Sequence, residues 1–482
     1  MWTYASLEHY MRDLPDGKII ANQIMDVGFF RALSENFEPR DYAGNNIIHL
    51  LKIGRGLRGT AHAPSADMPV GATPSFKELK IPLAQLIVNA SLESQALDRA
   101  EGMPGSWGKP VDDAIKDMMV DFEYLKCISA LGNGKGLLAR CGNGSTGDPS
   151  SNNGSVTTVK VDNSYTDFFW DNCHMLREGM LVDIYASDQT TLRVANVEIT
   201  SVTMGKRHNA AIGATYGTFT FAAASDYSIV DGDLVYLHGT QSKIAATNGS
   251  EGVAPARSLP MGMAYMAQNG LAFESGNMQE TLAYGLARAT YGALRARLYG
   301  AADDAGAGVL GFGLDTESPA YGTPTYWDVS VWDDMILDIL HGSGQGKVNT
   351  IITTSRVARS AARRSQQRFN FTVMIDNVRK QGTTVVGTRI PDTFIGPGGE
   401  EIKLITEEFF PNNCVLMFDS DNMAMHQPHG GFDYTRLFGN VWGPVKGNDR
   451  TDNTEAPYKG YLQFSAERFD NIAFGMDFRD NC

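Results

Sequence analysis

Cysteine is scarce in this chain, and its spacing matches no disulfide or zinc pattern. There are five cysteines, an odd number, and no C-x-x-C pair: Cys127, Cys141, Cys173, Cys414 and Cys482. A disulfide scaffold pairs an even number of cysteines, and a zinc ribbon uses closely spaced C-x-x-C pairs. The sequence therefore predicts neither, and it favours synthesis in a reducing cytoplasm.

Long apolar runs and an excess of positive charge are also missing. No run approaches the roughly 20 apolar residues that cross a bilayer, and the N-terminus lacks the basic-then-apolar order of a signal peptide, so we expect no membrane contact. Acidic residues outnumber basic ones by 55 to 41, for a net charge of −14. This balance argues against a surface that grips nucleic acid through many phosphate contacts.

Apolar residues are present in normal amounts. The 482 residues are 43% hydrophobic and 20% charged, which is typical of folded globular protein and allows two to four domains.

Two glycine-rich stretches resemble nucleotide-binding motifs but lack their context. Residues 306–313, GAGVLGFG, fit G-x-G-x-x-G, which needs a strand before the glycines and a helix after them. The Ala-, Leu- and Arg-rich residues 280–300 predict a helix before the glycines instead. In residues 341–348, HGSGQGKV, His341 replaces the first glycine of a phosphate loop and Val348 replaces the Ser or Thr that binds Mg²⁺. We expect no nucleotide cofactor.

Metal and catalytic motifs are equally weak. HQPH at 426–429 offers two imidazoles, but the proline prevents a regular helix and no third ligand is close in sequence. DSDN at 419–422 lacks the glycine of a calcium loop and is an ordinary turn. There is no G-x-S-x-G elbow. We expect no catalytic residue, no metal and no enzymatic activity.

Periodicity predicts a mixed α and β chain. Residues 111–131 have apolar side chains at helical spacing and a glycine turn at 132–136. Residues 60–95 read as a long hairpin or extended loop. Five short strands lie between 155 and 255, bordered by Gly/Ser/Asn-rich sequence, and predict a barrel or sandwich that folds by itself. An α/β segment begins near 333.

One charge run contains only basic residues. Residues 356–368 hold Arg356, Arg359, Arg363, Arg364 and Arg368. On a helix these arginines spread around much of the circumference, which favours pairing with carboxylates of adjacent subunits over reading a nucleic-acid groove.

Several stretches, in this order, resemble the major capsid proteins of tailed bacteriophages, which share their fold with herpesvirus capsid floors and encapsulins. Residues 76–100 resemble the second half of that family's extended loop, and 111–136 its spine helix and glycine turn. VNTIITTSRVARSAA, 348–362, resembles a strand and helix of the axial domain. EEFFPNNCVLMFD, 407–419, is similar to a later strand. The β-rich block resembles an extra module that some relatives carry.

The resemblance implies an α+β fold, the tailed-phage major capsid fold, with an inserted small β-barrel-like domain. The segments implied are an N-terminal arm, 1–59; an extended loop, 60–95; the spine helix and peripheral domain, 96–154; the inserted domain, 155–255; a peripheral continuation with connecting helices, 256–330; the axial domain, 331–458; and C-terminal strands returning to the core, 459–482.

The implied function is structural. Hexamers and pentamers of this chain would close into an icosahedral shell around double-stranded DNA, without sequence-specific binding, assembled in the host cytoplasm and retained in the virion capsid. Partners would be the chain itself, a portal, and scaffolding or decoration proteins. The candidate assembly contacts are Lys77, Lys80, Arg356, Arg359, Arg363 and Arg364; some relatives crosslink through lysine, but nothing here identifies an asparagine partner. An encapsulin-like compartment and a β-rich carbohydrate-active enzyme remain alternatives.

Overall fold

The structure is a computed structural model. It describes residues 46–54, 75–93, 108–142, 158–161, 173–204, 217–221, 229–230, 232–240, 258–268, 282–300, 310–311, 329–342, 346–364, 393–407, 409–411, 414–427, 433–434, 443–444 and 453–475.

The first described elements form a two-stranded hairpin that continues into a third strand. β1 (Asn46–Gly54) pairs antiparallel with β2 (Ser75–Pro82), and β3 (Ala84–Glu93) follows after Leu83. The sequence predicts the extended element only from residue 60 onward. The structure begins it at Asn46, inside the segment assigned to the arm, because Ile47 and Leu51 of β1 are buried and hold that strand against the core.

The long helix predicted at 111–131 is confirmed as α1 (Gly108–Leu131). Phe122 lies fully buried with its ring edge-on to that of Tyr458, the centroids 5.2 Å apart. The predicted glycine turn ends the helix, where the Gly132 amide donates to the Ile128 carbonyl at 2.8 Å. Gly136 has a φ of +73°, and a Cβ there would lie 2.5 Å from the Thr240 hydroxyl, so only glycine fits.

Six strands that follow α1 form one antiparallel sheet. All five predicted strands are present, and a sixth, β4, was not predicted. They are β4 (Leu137–Arg140), β5 (Thr158–Val161), β6 (Leu181–Tyr185), β7 (Leu192–Thr203), β8 (Gly217–Phe221) and β9 (Leu234–Leu237). The order is β4-β9-β6-β7-β8-β5. The two edge strands approach each other, since Cys141 forms a bridge to Val161 and the Gly142 amide donates to the Lys160 carbonyl at 3.1 Å.

β4 lies before the predicted module boundary at residue 155. Leu138 of β4 and the adjacent Cys141 belong to one apolar cluster with Val159 of β5 and with Phe122 of α1. The sheet therefore shares its core with the helix that precedes it.

We expect a fragment spanning 155–255 to be much less stable than one spanning 134–255, because the shorter fragment lacks β4 and exposes the edge of β9. Urea denaturation followed by far-ultraviolet circular dichroism compares the two. Equal midpoints would show that β4 adds nothing and that the sequence-based boundary is sufficient.

The region before the first glycine motif differs from its prediction. It contains α2 (Met263–Met266), β10 (Leu282–Ala283), β11 (Leu286–Ala287), β12 (Arg297–Gly300) and β13 (Leu310–Gly311). The helix predicted at 280–300 is wrong. Tyr284 and Gly285 have φ values of +48° and +79° and form the turn of a small hairpin, a conformation that ends any helix.

The predicted α/β segment is confirmed where the structure describes it. Its elements are α3 (Val329–Gly342), β14 (Thr350–Thr353), α4 (Ser355–Arg364), β15 (Thr393–Ile395), β16 (Glu401–Thr406), β17 (Val415–Phe418) and β18 (Met423–His426). β15 and β16 form the predicted hairpin. The strands predicted at 371–376 and 383–389 lie outside the described residues.

The last elements close two sheets. They are β19 (Asp433–Tyr434), β20 (Gly443–Pro444), β21 (Asn453–Ala466) and β22 (Ala473–Gly475). Of the C-terminal strands predicted within 459–482, those up to residue 475 are present as β21 and β22, although β21 begins earlier; residues 476–482 lie outside the described residues. A seven-stranded sheet has the order β13-β12-β22-β17-β14-β16-β15, and β21 pairs with β3, β18, β19 and β20 in a five-stranded sheet.

Two cores hold these layers. The larger joins the hairpin, α1, the six-stranded sheet and β21. The smaller lies between the seven-stranded sheet and the helices α3 and α4, where Trp332 is fully buried and its ring lies 5.3 Å from that of Phe394. The mixed α+β class predicted from the sequence is thus observed.

Candidate assembly surfaces

The β1–β2 hairpin has two unlike faces. Because side chains alternate along a strand, Ile47, Leu51, Leu79 and Ile81 share one side and are buried; we call this the inner face. The opposite side, the outer face, exposes Ile48 (56%), Leu50 (71%) and Phe76 (55%). Large apolar side chains so exposed and so close together mark a contact surface.

The strand register brings the outer-face residues together. Leu50 pairs with Glu78, and Ile48 pairs with Lys80, in the antiparallel ladder. Glu78 and Lys80 approach within 3.8 Å of each other and are both about half exposed at the side chain, so their ion pair contributes little stability. The outer face is therefore an apolar strip with a charged border.

The two candidate lysines lie on opposite faces of the hairpin. Lys80 lies on the outer face beside Ile48. Lys77 pairs with Leu51 and therefore belongs to the inner face, where it is partly buried. The structure does not bring the two lysines together as one contact.

The basic helix presents its described arginines on one side. Arg356 and Arg359 are exposed on α4, whereas Val357, Ala358 and Ala361 are buried. At 100° per residue the two arginines lie opposite the buried stripe. The spread predicted for all five arginines of this run stays a prediction. The side chains of Arg363 and Arg364, and all of Arg368, lie outside the described residues.

A second exposed face lies on the sheet formed by β3 and β21. Leu86, Leu462 and Phe464 are buried on the side that faces α1, while Ile87 (52% exposed) and Tyr461 (41%) are on the other side. Tyr461 pairs with Gln85 in the ladder. We call this the open face of the β3–β21 sheet.

The base of the hairpin covers one end of that open face. The Gln463 side-chain amide donates to the Pro82 carbonyl at 2.7 Å, and the Ser465 hydroxyl lies 3.0 Å from Nε2 of His49. Gln463 and Ser465 are both buried. The hairpin is therefore fastened to its own chain by polar contacts as well as by its inner face.

The HQPH motif contributes to this junction. His426 is buried at the end of β18, and its Nε2 lies 2.5 Å from the Ser465 hydroxyl. Its ring is edge-on to that of His49, with centroids 5.7 Å apart. The second histidine of the motif, His429, lies outside the described residues.

The two nucleotide-like motifs are described only in part, and Leu310–Gly311 inside the first of them forms β13. In the second motif, His341 and Gly342 end α3 and residues 346–349 lead into β14, whereas residues 343–345 between them lie outside the described residues. Ser420–Asn422 is a single 3-10 turn, as expected for DSDN. Before residues 306–313 a strand, β12, stands where a helix was predicted, so that part of the argument against a dinucleotide site was wrong.

The thiols are structural. Cys127, Cys141, Cys173 and Cys414 are all buried and unbridged. Burial raises the pKa of the Cys127 thiol to about 12, with the neighbouring Glu407 carboxylate adding to the effect. A thiol protonated at neutral pH is a poor nucleophile and a poor metal ligand.

Two further features are absent from the described residues. Among them, no three His, Cys, Asp or Glu side chains are grouped so as to hold a metal ion. No helix within those residues is long and apolar enough to cross a membrane.

No family model matches the chain, and no curated protein matches it. Solved structures do. The cyanophage A-1(L) capsid asymmetric unit is 12% identical with a TM-score of 0.44, covering 97% of this chain and 95% of that one. The capsid of a native GTA particle is 8% identical with a TM-score of 0.40, covering 93% and 90%. The SrpI encapsulin of Synechococcus elongatus PCC 7942 is 8% identical with a TM-score of 0.21, covering 33% and 53%.

Sequence reasoning missed the outer face of the hairpin. Its signal is present in NIIHLLKIG and SFKELKIP, where apolar residues occupy both parities of each strand. A strand with apolar side chains on both faces is expected to pack against another surface on each face. That pattern becomes readable only once β1 and β2 are known to pair.

Proposed function

We propose that this chain is a structural major capsid protein of a tailed bacteriophage, which self-assembles as hexamers and pentamers into an icosahedral shell around double-stranded DNA. The observation that carries the proposal is the hairpin, whose inner face and base attach to its own subunit while its apolar outer face remains exposed. A protein that works alone gains nothing from such a face, whereas a shell subunit needs one.

In this proposal the outer face of one copy of the chain contacts the open face of the β3–β21 sheet of a second copy. Ile48, Leu50 and Phe76 supply the apolar strip, and Ile87 and Tyr461 supply the receiving surface. Closed shells repeat one contact many times, so a modest apolar contact suffices for a stable assembly.

Charge supports a second contact between copies. Arg356 and Arg359 point into solvent from α4, in a chain whose net charge is −14. Acidic surfaces of neighbouring subunits are the partners that this imbalance favours, and Lys80 and the arginines at 363 and 364 complete the proposed set of assembly contacts. Because the chain has a net negative charge, a shell built from it would bind the enclosed DNA only weakly.

The finer division of the chain belongs to the same proposal. Arm, extended loop, peripheral domain, inserted domain and axial domain follow the resemblance described above, with two changes supported by the strand pairing. The extended loop begins near residue 46. The inserted domain is a six-stranded barrel-like unit that also includes β4, which precedes the predicted boundary at residue 155. Portal, scaffolding or decoration proteins and a place in the virion capsid complete the proposal.

Electron microscopy of the purified protein tests the function. We expect closed particles of uniform diameter, and particles isolated from an infected host should contain nuclease-protected double-stranded DNA. Particles that hold a protein cargo and no DNA would favour the compartment alternative. A small oligomer that forms no closed particle under any condition would contradict the proposal.

A further inference from the structure

The chain changes its pairing partner between β2 and β3. β2 ends at Pro82 and pairs with β1, whereas β3 begins at Ala84 and pairs with β21. Proline has no amide hydrogen to donate to a ladder, which favours the end of a strand at that position. Among the described strands, β1 and β2 pair only with each other. On its C-terminal side the hairpin therefore joins the rest of the subunit through Pro82 and Leu83, which we call the elbow.

The Gln463 side chain of β21 lies against the elbow. Its Nε2 donates to the Pro82 carbonyl at 2.7 Å, and its Oε1 accepts from the amides of Met261 at 2.7 Å and Phe464 at 3.1 Å. The reverse orientation of the side-chain amide would direct its hydrogens at two backbone N–H groups, so only this orientation suits all three neighbours. Gln463 is 1% exposed, and these bonds are therefore shielded from competing water.

The Met261 amide belongs to a turn that lies directly against the end of α1. A Cβ on Gly262 would lie 2.2 Å from the Ala130 carbonyl oxygen, so the two backbones are in close contact there. Met261 and Ala130 are fully buried in the larger apolar core. Because Gln463 bonds to this turn and to its own strand, it relates the position of the elbow to both α1 and the five-stranded sheet.

The apolar attachment of the hairpin is less directional than this amide. Its inner face belongs to the larger apolar core, and apolar contact depends on the area buried rather than on angles. Hydrogen bonds, in contrast, weaken steeply when the donor and acceptor are misaligned. The bond from Gln463 therefore constrains the angle at Pro82 in a way that the packing of the inner face does not.

We infer that Gln463 fixes the direction in which the hairpin leaves the subunit and so orients its outer face toward a neighbouring copy. The first part concerns one chain, whereas the second rests on the proposed function. Without the bond to Pro82 the hairpin should adopt a range of angles, because no described strand pairs with both β2 and β3. Copies with different angles cannot repeat one identical contact, so shells built from them should vary in diameter.

Two substitutions separate the donor of this side chain from its acceptor. Gln463→Glu keeps an oxygen for the amides of Met261 and Phe464, but a carboxylate has no hydrogen to donate to the Pro82 carbonyl. Gln463→Met loses both the donor and the acceptor. Gln85→Glu is the matched control, because Gln85 is an exposed glutamine on the same sheet, paired with Tyr461.

Pulsed electron paramagnetic resonance measures the angle at the elbow in the full chain, under conditions where light scattering detects no particles. Spin labels are attached at Glu78→Cys on the hairpin and Asn89→Cys on β3, two exposed positions on either side of the elbow, in a chain that also carries Cys482→Ser. The four described cysteines are buried and should remain unlabelled. We expect one narrow distance distribution in the wild type and in Gln85→Glu, and a distribution about twice as wide in both Gln463 variants.

Hydrogen exchange distinguishes the two Gln463 variants, since the peptide that contains Met261 should lose protection in Gln463→Met and keep it in Gln463→Glu. Distance distributions of wild-type width in both variants would overturn the inference. Loss of the circular dichroism of the fold in both would overturn it as well, because Gln463 would then hold the core together rather than set an angle.

Electron microscopy tests the part that rests on the proposed function. Particles formed by Gln463→Glu should vary in diameter, whereas those formed by Gln85→Glu should match the wild type. Wider distance distributions together with shells of a single diameter would support the role of Gln463 at the elbow and contradict the proposed contact between the outer face and the open face.

Discussion

A subunit carrying Leu50→Asp should fold normally and fail to form closed particles. Leu50 is 71% exposed at the centre of the outer face of the hairpin, so a carboxylate there displaces nothing inside the subunit. In an assembled contact the same carboxylate would lose its water and oppose apolar side chains, and burial of a leucine is worth about 1.5–3 kcal/mol. Because every copy repeats the contact, we expect the yield of particles to fall at least a hundredfold.

Light scattering and negative-stain microscopy measure the particles, and circular dichroism with thermal melting measures the fold. Leu192→Asp is the matched control, because Leu192 is an exposed leucine (47%) on β7, away from the hairpin. It should assemble with the wild-type yield. If Leu50→Asp forms normal shells, the outer face is not a subunit contact. If it unfolds, the residue belongs to the core.

Elements whose signal is local were predictable from the sequence. The pattern over 111–131 is long, strongly periodic and bounded by glycines, so α1 was found within three residues of its observed start. The short strands β5 to β9 were found because apolar alternation and turn residues mark each one. Neither signal needs knowledge of a distant partner.

Elements defined by distant partners were missed. β4 has only four residues, LLAR, and becomes a strand by pairing with β9 almost 100 residues later. β1 needs β2 across residues outside the described ranges. At 280–300, Ala, Leu and Arg favour a helix by intrinsic propensity, but Tyr284 and Leu286 are buried in a tight hairpin, and packing outweighs propensity.

The features of the candidate surfaces also divide into those that local spacing predicts and those that depend on residues distant in sequence. The exposure of Arg356 and Arg359 follows from helical spacing with Val357 and Ala361, which are apolar and buried. The opposite orientation of Lys77 and Lys80 follows from an odd separation in a strand, once a strand is assigned there. The contact of His49 and His426 with Ser465 joins three residues that no sequence periodicity relates.

Replacing Arg288 should destabilise the fold more than any surface change discussed here. Arg288 is fully buried and donates to three carbonyls, those of Gln268 (2.6 Å), Leu294 (2.9 Å) and Tyr265 (2.7 Å). Its guanidinium also lies 4.8 Å from the centre of the Phe469 ring. In Arg288→Met the three buried carbonyls lose a charged donor, for which we expect a loss of about 3–5 kcal/mol in unfolding free energy.

The loss should propagate because this arginine joins segments that are distant in sequence. Tyr265 lies in α2, Leu294 in a 3-10 turn before β12, and Phe469 in a 3-10 turn after β21. The Ala466 amide of β21 donates to the Tyr284 hydroxyl at 3.2 Å in the same cluster. Loosening of this cluster should therefore lower the hydrogen-exchange protection of both β21 and β12.

Urea denaturation and hydrogen exchange measure the two effects, and Arg297→Met is the matched control. Arg297 is partly buried, and its Nε donates to a single carbonyl, that of Asp470 at 3.2 Å, beside a side-chain hydrogen bond with Tyr299, so its loss should amount to less than about 1.5 kcal/mol. Arg288→Lys should rescue only part of the stability, because an ammonium cannot match the planar fork that reaches three carbonyls. If Arg288→Met unfolds at the same urea concentration as Arg297→Met, the three contacts do not hold these segments together, and apolar packing around Tyr265 and Phe469 alone accounts for the junction.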